Sequence, residues 1–256
     1  MRVHEYHTDR EESIAFLHGA NAGGWMWSKV IEELPEYHCI AIDMPGHADS
    51  SEIEWTSPEE VAADVAVTIQ SLAKGGRAHI VGLSLGGLVG LHLLAQSPET
   101  VRKTLVTGVP SFRMPNQWLT QILGVLVSPF IHSKTLLVAS ARAARIPDSD
   151  IPEYVLHAKK NSRRAFLRIN RQAVDFQPPD GALVSETDKL FIAGERDHPT
   201  IVRSLHHFVH AKNAACYKVR KLGHAWSSQN PELFAEVVLA WLSESPMPDS
   251  LMPVSQ

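Results

Sequence analysis

The pentapeptide Gly82-Leu83-Ser84-Leu85-Gly86 follows the apolar run Ala78-His79-Ile80-Val81 and precedes the helix-like run over residues 88–96, so a serine sits on a sharp strand-to-helix turn. Glycines at both ends fit such a turn, because its backbone is too crowded for larger side chains. A serine held there takes strained φ/ψ and exposes its hydroxyl at the carboxyl end of the strand. The amide of Leu85 is left free at the positive end of the following helix.

The remaining pattern is a framework able to carry that turn. Short apolar runs recur, each closed by a turn: residues 13–17 before His18-Gly19, 39–42 before Asp43 and 79–81 before Gly82. Residues 103–107, 189–193 and 215–219 continue the series, and all read as buried parallel strands. Ser57-Pro58-Glu59-Glu60 is a capping box with proline at the first helical position, ahead of Val61, Val65, Ile69 and Leu72 at helical spacing. Asn230-Pro231-Glu232 starts another helix through Leu233, Phe234, Val237, Val238, Trp241 and Leu242. Strand and helix in alternation predict an α/β fold with a doubly wound, mostly parallel sheet, whose ligands collect at the strands' carboxyl ends.

The alternation lapses between residues 111 and 185, where an apolar stretch over 117–131 precedes helices expected at 135–144, 152–159 and 163–174. This segment reads as a helical cap inserted into a core formed by residues 1–110 and 186–244, and residues 245–256 read as a disordered tail. The cap carries ten Lys/Arg against five Asp/Glu, a balance of +5 that leaves −9 on the rest of a chain whose net charge is −4. Either its arginines, Arg142, Arg145, Arg163, Arg164 and Arg168 among them, are a solvated face, or they attract an anionic group. Trp118, Leu119, Ile122, Leu126, Phe130 and Phe166 suggest a greasy pocket roof, or else the surface that docks the cap on the core.

Composition narrows the partners. With 44% hydrophobic and 20% charged residues the chain is an ordinary globular one, without a nucleic-acid signature. Residues 1–13 are polar and mixed in charge, unlike a signal peptide, and no apolar run approaches the ~20 residues of a membrane span. Cys39 and Cys216 lie in separate strand-like runs and are expected as free buried thiols. Together these point to a cytoplasmic protein acting on a small molecule, with no membrane partner.

A serine hydroxyl is a weak nucleophile at neutral pH and needs a histidine within hydrogen-bond reach and an acid that fixes the histidine's tautomer. Asp197 follows the 189–193 strand in Gly194-Glu195-Arg196-Asp197, with Glu195 two residues before it and Asp188 ahead of the strand as the alternative acids, and His224 follows the 215–219 strand in Leu222-Gly223-His224-Ala225-Trp226. Their order, Ser84, Asp197, His224, is one that strand-end loops can bring together. The turn His18-Gly19-Ala20 can aim the Ala20 amide toward that of Leu85, forming an oxyanion hole. His47 reads as a turn residue. His206, His207 and His210 have no nearby carboxylate or cysteine partner and read as a surface helix, so no metal or cofactor is expected. Trp25, Trp27 and Trp226 are candidates for the pocket mouth, packing at core edges being as common.

His18-Gly19 with Trp25, Asp43-Met44-Pro45-Gly46-His47 with Ser50, Gly82 to Gly87, Gly194 to Asp197 and Gly223-His224 together resemble the α/β-hydrolase-fold serine hydrolases of capped, esterase-like type. The resemblance spans nearly the whole chain, is weakest in the cap, and departs at the amino terminus, where the usual first hairpin is trimmed to about residues 2–7. It implies Ser84 as nucleophile, Asp197 as acid, His224 as base, and Ala20 and Leu85 as oxyanion donors, in a carboxylesterase that cleaves small to medium carboxylic esters without a cofactor. Serine in place of aspartate argues against dehalogenase and epoxide hydrolase chemistry. Hydrolysis of a carbon-carbon bond in ring-cleavage products, hydrolysis of a carrier-protein-linked methyl ester, and a non-catalytic ligand receptor are the alternatives on the same fold.

Overall fold

Apolar runs without polar alternation predict strands covered on both faces, and the computed structural model, which describes residues 1–113 and 116–255, has them so. In chain order β1 (Arg2–Tyr6), β2 (Ser13–Leu17), α1 (Ser28–Glu32), β3 (His38–Asp43), α2 (Pro58–Leu72), β4 (Ala78–Leu83), α3 (Leu85–Gln96) and β5 (Val101–Thr107) form the first part. A helical insertion follows, made of α4 (Gln117–Val127), α5 (Lys134–Ala143), α6 (Ile151–Ala158), α7 (Arg163–Asp175) and α8 (Asp180–Val184). The chain then returns through β6 (Lys189–Gly194), α9 (Pro199–Phe208), β7 (Ala214–Val219), α10 (Trp226–Gln229), α11 (Pro231–Leu242) and β8 (Leu251–Pro253).

The eight strands form one sheet in the order β1-β3-β2-β4-β5-β6-β7-β8. The strands from β3 across to β7 run parallel, and β1 and β8 close the two edges antiparallel. Side chains alternate between faces with period two. Ala15, Leu17, Ile40, Ile42 and Ile80 meet Val61, Val65 and Ile69 of α2 and Leu88 and Leu91 of α3 on one face. Ile14, Phe16, Cys39, Ala41 and Val81 meet Val30 and Ile31 of α1 and Phe234, Val237 and Val238 of α11 on the other. The expected caps form: Ser57 Oγ accepts from the Glu60 amide at 3.1 Å and Asn230 Oδ1 from the Leu233 amide at 3.0 Å.

Strand order fixes where a ligand can enter. From β2 the chain moves outward to β3 and then crosses back to β4 on the other side of β2, so the connections leaving β2 and β4 diverge and open a crevice at their carboxyl ends. Leu17 pairs with Gly82 there, which puts His18-Gly19 and Ser84 at the same end of adjacent strands.

The insertion departs from and returns to the sheet between β5 and β6. Its α5 and α6 make a small core of their own from Leu137, Ala141, Ile151, Tyr154, Val155 and Ala158. Ala165 and Ile169 of α7 reach the main core, as does Ala182 of α8. Asn170 of α7 donates to the Thr120 carbonyl at 3.3 Å, while Arg163, earlier in α7, reaches Ser128 just past α4, so the two helices run antiparallel.

The tail is a correction. Residues 251–253 are not disordered but form β8, with Val219 opposite Leu251 and Tyr217 opposite Pro253, and the Val254 amide donates to Cys216 at 2.8 Å. Leu251 is buried in the α1–α11 face of the core and Met247 packs beside it. Three residues at the end of a segment broken by Pro246 and Pro248 carry too little periodicity to show a strand, and Pro253 is tolerated because an edge position asks no outward donor of it. Leu251→Ala is therefore expected to lower unfolding free energy by about 2–3 kcal/mol in a denaturant titration; an unchanged midpoint would mean that the tail is loose.

Candidate active site

Ser84 joins β4 to α3 with φ 52° and ψ −114°, a conformation that costs a non-glycine residue on the order of 1–3 kcal/mol. The surroundings hold it there: the Ser84 amide donates to the Thr107 carbonyl at 2.9 Å, and a Cβ on Gly82 would stand 2.7 Å from the Gly86 carbonyl oxygen. One on Gly86 would overlap the Leu17 carbonyl. The flanking glycines thus let α3 start directly against β2 and β4. Leu85, as the first residue of α3, has no intrahelical acceptor for its amide.

The loops after β6 and β7 are tied to each other by backbone bonds, Arg196 N to Leu222 O at 2.8 Å and Glu195 N to Val219 O at 2.9 Å. They bring Asp197 and His224 together, with His224 Nδ1 at 3.0 Å from both oxygens of Asp197. The Asp197 side chain is 2% exposed, and its Oδ1 also accepts from the His198 amide at 2.6 Å. A carboxylate can only accept here, so Nδ1 carries the proton and Nε2 keeps its lone pair. Burial pushes the His224 pKa down, but the Asp197 hydrogen bond and charge outweigh it, and the net direction is up from the ordinary 6.5. Gly108, at φ 71° beyond β5, makes room for the ring: a Cβ would lie 2.8 Å from His224 Cε1. Sequence reasoning missed it, its only signal being a glycine directly after a strand.

His18 is buried and committed on both nitrogens, Nδ1 donating to Gly19 O at 2.8 Å and Nε2 accepting from Met44 N at 2.9 Å. Burial lowers its pKa and that of His47, the latter to about 3, so the edge-on pair stays neutral. His47 Nδ1 donates to Pro45 O at 3.0 Å, the turn role expected of it. The next turn, closed by Ala22 N to Gly19 O at 3.2 Å, holds Asn21 at φ 62° and leaves the Ala20 amide without a backbone acceptor among the described residues. Two residues of the insertion adjoin it: Asn161 Nδ2 donates to Asn21 Oδ1 at 3.3 Å, and Tyr154 lines the same cavity as Asn21. Neither stood out in the sequence, because their function depends on a contact across more than a hundred residues.

Ser84 and His224 line one cavity of about 240 Å³, together with Gly19, Ala20, Asn21, Trp25, Met26 and Leu83 from the core. Ser140, Ala144, Ile146 and Tyr154 of the insertion cover it. The anticipated greasy roof is therefore elsewhere. Trp118, Leu119, Ile122, Leu126 and Phe130 line neither this cavity nor the core and face solvent. Trp25 does reach the cavity, whereas Trp27 and Trp226 are fully buried, the latter donating to Thr107 Oγ1 at 2.7 Å. Of the arginines of the insertion, Arg145 shares a groove with Arg196, Asp197 and His224, while Arg164 and Arg168 pair with Glu54 and Arg163 donates to Ser128.

Among the described residues the one grouping with metal-ligand geometry is His4, Asp43 and Asp49, not the histidines of α9. Its donors already have protein partners: Asp43 accepts from Gly24 N at 2.6 Å and Asp49 N at 3.2 Å and meets His4, and Asp49 pairs with Lys160, whose hydrogen bond holds that carboxyl below its ordinary range. These bonds fasten the end of β3 to the loops beside it.

The sequence profile of the alpha/beta hydrolase family matches residues 14–237. A protein of Gibberella zeae described as an AB hydrolase superfamily protein is 28% identical over 249 residues, 95% of this chain and 84% of its own. A putative 2-succinyl-6-hydroxy-2,4-cyclohexadiene-1-carboxylate synthase of Haemophilus influenzae is 41% identical over 85 residues, 33% of this chain and 34% of that one. The solved structure of a thermophilic esterase from Thermogutta terrifontis superposes with a TM-score of 0.79 at 15% identity, covering 95% of this chain and 93% of the other, a likeness of fold. The profile match, over most of the chain and across the parallel sheet and the turn at Ser84, assigns this protein to the alpha/beta hydrolase family.

Proposed function

We propose that the chain hydrolyses small to medium carboxylic esters through an acyl-enzyme on Ser84, with the helical insertion, residues 111–185, as the cap over the substrate. The observation that carries this reading is the hydrogen bond from His224 Nδ1 to both oxygens of buried Asp197, beside a cavity that His224 shares with Ser84. In this reading His224 Nε2 takes the Ser84 proton as Oγ attacks the ester carbonyl. The oxygen that becomes negative is received by the amides of Ala20 and Leu85, each such donor being worth about 3–4 kcal/mol in the transition state. Collapse breaks the ester bond, His224 returns the proton to the departing alkoxide, and water repeats the sequence to release the acid. The chemistry needs no metal or cofactor. The mostly apolar cavity suits an acyl or aryl group and favours short chains over long ones. Two buried unpaired thiols, pushed up to about 12 by burial, support a reducing compartment, the cytoplasm, as part of the same reading.

A second reading draws on the Haemophilus relative, whose name is that of a synthase and not an ester hydrolase. The same serine, histidine and acid would then serve proton transfer on a different substrate. A panel of p-nitrophenyl esters from acetate to palmitate separates the two, run beside a fluorophosphonate label. Turnover peaking at a short chain supports the esterase; labelling of Ser84 without ester turnover would favour the second reading.

Ser84→Ala is expected to abolish labelling and lower kcat by about 10⁵–10⁶-fold, and retained turnover would end the proposal. Asp197→Asn, which favours the wrong histidine tautomer, should lower kcat by about 10⁴-fold with the fold intact by circular dichroism. Because the His224 pKa is raised, kcat/KM should fall as pH drops through an inflection above 6.5; a profile flat from pH 5 to 8 with chemistry limiting would exclude His224 as base.

A further inference from the structure

Helix α4 is turned inside out. Its small and polar side faces the protein: Gly124 is buried against Asn170, where a Cβ would collide with the side-chain amide, and the Thr120 carbonyl accepts from Asn170. Its apolar side faces water, with Trp118 65%, Val125 59% and Leu126 63% exposed, Leu119, Ile122 and Leu123 also exposed, and Phe130 at 63% just past the helix. A helix normally buries its apolar stripe, and a contiguous exposed one marks a surface that meets something else.

The charge around the stripe says what that is. No carboxylate side chain lies in the sequence between Glu99 and Asp148, the stretch that holds α4 together with Arg113 before it and Lys134 after it. Lys134 opens α5 directly beyond the Phe130 turn, Arg163 sits on Ser128 at that same end, and Arg171 follows the Asn170 that grips α4. Lys134 and Arg171 are exposed and have no ion-pair partner among the described residues, and Arg113 pairs with Asp175. An apolar stripe with aromatic residues at both ends and a cationic border is the pattern of a helix that lies in a lipid headgroup layer. A second copy of the chain is the poorer occupant, since two-fold pairing would set the same cationic border against itself.

We propose that α4 and the turn to Phe130 are a docking face for the surface of an anionic lipid bilayer. This is surface binding, not insertion: no helix among the described residues is long and apolar enough to cross a membrane. The sequence expectation of no membrane partner rested on the lack of such a span and did not address a helix lying flat. Apolar burial holds the face in place, and each border cation adds about fivefold to partition onto an anionic surface, a gain that salt screens.

The test is co-sedimentation of the intact protein with vesicles of phosphatidylcholine alone or mixed with phosphatidylglycerol, beside light scattering for oligomeric state. Wild type should pellet with the mixed vesicles, and salt should release it. Leu126→Glu should reduce pelleting by about tenfold or more, and Lys134→Glu with Arg171→Glu should do the same without touching the apolar stripe, with melting temperature and turnover of a soluble short-chain ester kept in both. Failure of wild type to pellet, or pelleting unchanged in both variants, would overturn the proposal. So would a wild-type dimer that Leu126→Glu dissociates in the absence of vesicle binding, which would give the face to a second copy.

Discussion

The contact on which the rest of the molecule depends is the approach of the first turn of α3 to the backbone of β2 and β4. Gly82, Gly86 and Gly87 remove every side chain that would keep the helix off the sheet: Cβ atoms there would meet the Gly86 backbone, the Leu17 carbonyl and the side chains of Val106 and Val109. Only this closeness turns Ser84 sharply enough to stand at the crevice where the connections leaving β2 and β4 part. The strain at Ser84 is local, but the packing that sustains it extends through α3, whose Leu88, Val89, Leu91, Leu93 and Leu94 are all in the core.

Electrostatics around the crevice is divided between two kinds of imidazole. His18 and His47 are buried where burial keeps them uncharged, and each spends its ring on backbone groups. His224 lies against a carboxylate with almost no contact with water, and that charge stabilises the protonated ring. One loop is thus fixed in shape by neutral rings while the other is prepared to gain a proton.

How much was legible follows from the range over which each feature is encoded. The strands, the caps at Ser57 and Asn230 and the turn at Ser84 are written within a few residues, and the convergence of Asp197 with His224 follows from strand ends in a parallel sheet. Gly108, Asn161 and Tyr154 were not legible, because each matters through a partner remote in sequence. The stretch over 117–131 reads as apolar, but not as a helix, and nothing in it says which way an apolar stripe would point; that is decided by the match of Gly124 to Asn170. Trp25, Trp27 and Trp226 are chemically alike, and only the position of the short turn over Gly24–Trp27 and the reach to Thr107 distinguish the one at the cavity from the two in the core. The strand at Leu251 was hidden by its shortness and by the prolines around it.

Asn161 holds two separate pieces of the core, accepting from the Ala48 amide at 3.3 Å while donating to Asn21. The helices between β5 and β6 are therefore not a module that can be exchanged for those of a relative by matching the two splice points. A chimera would inherit the pocket cover of its donor and lose the clamp on the turn that follows His18-Gly19, unless the graft also brought an amide to the same place. Diversification of this insertion is constrained at one residue even where its helices are free to vary.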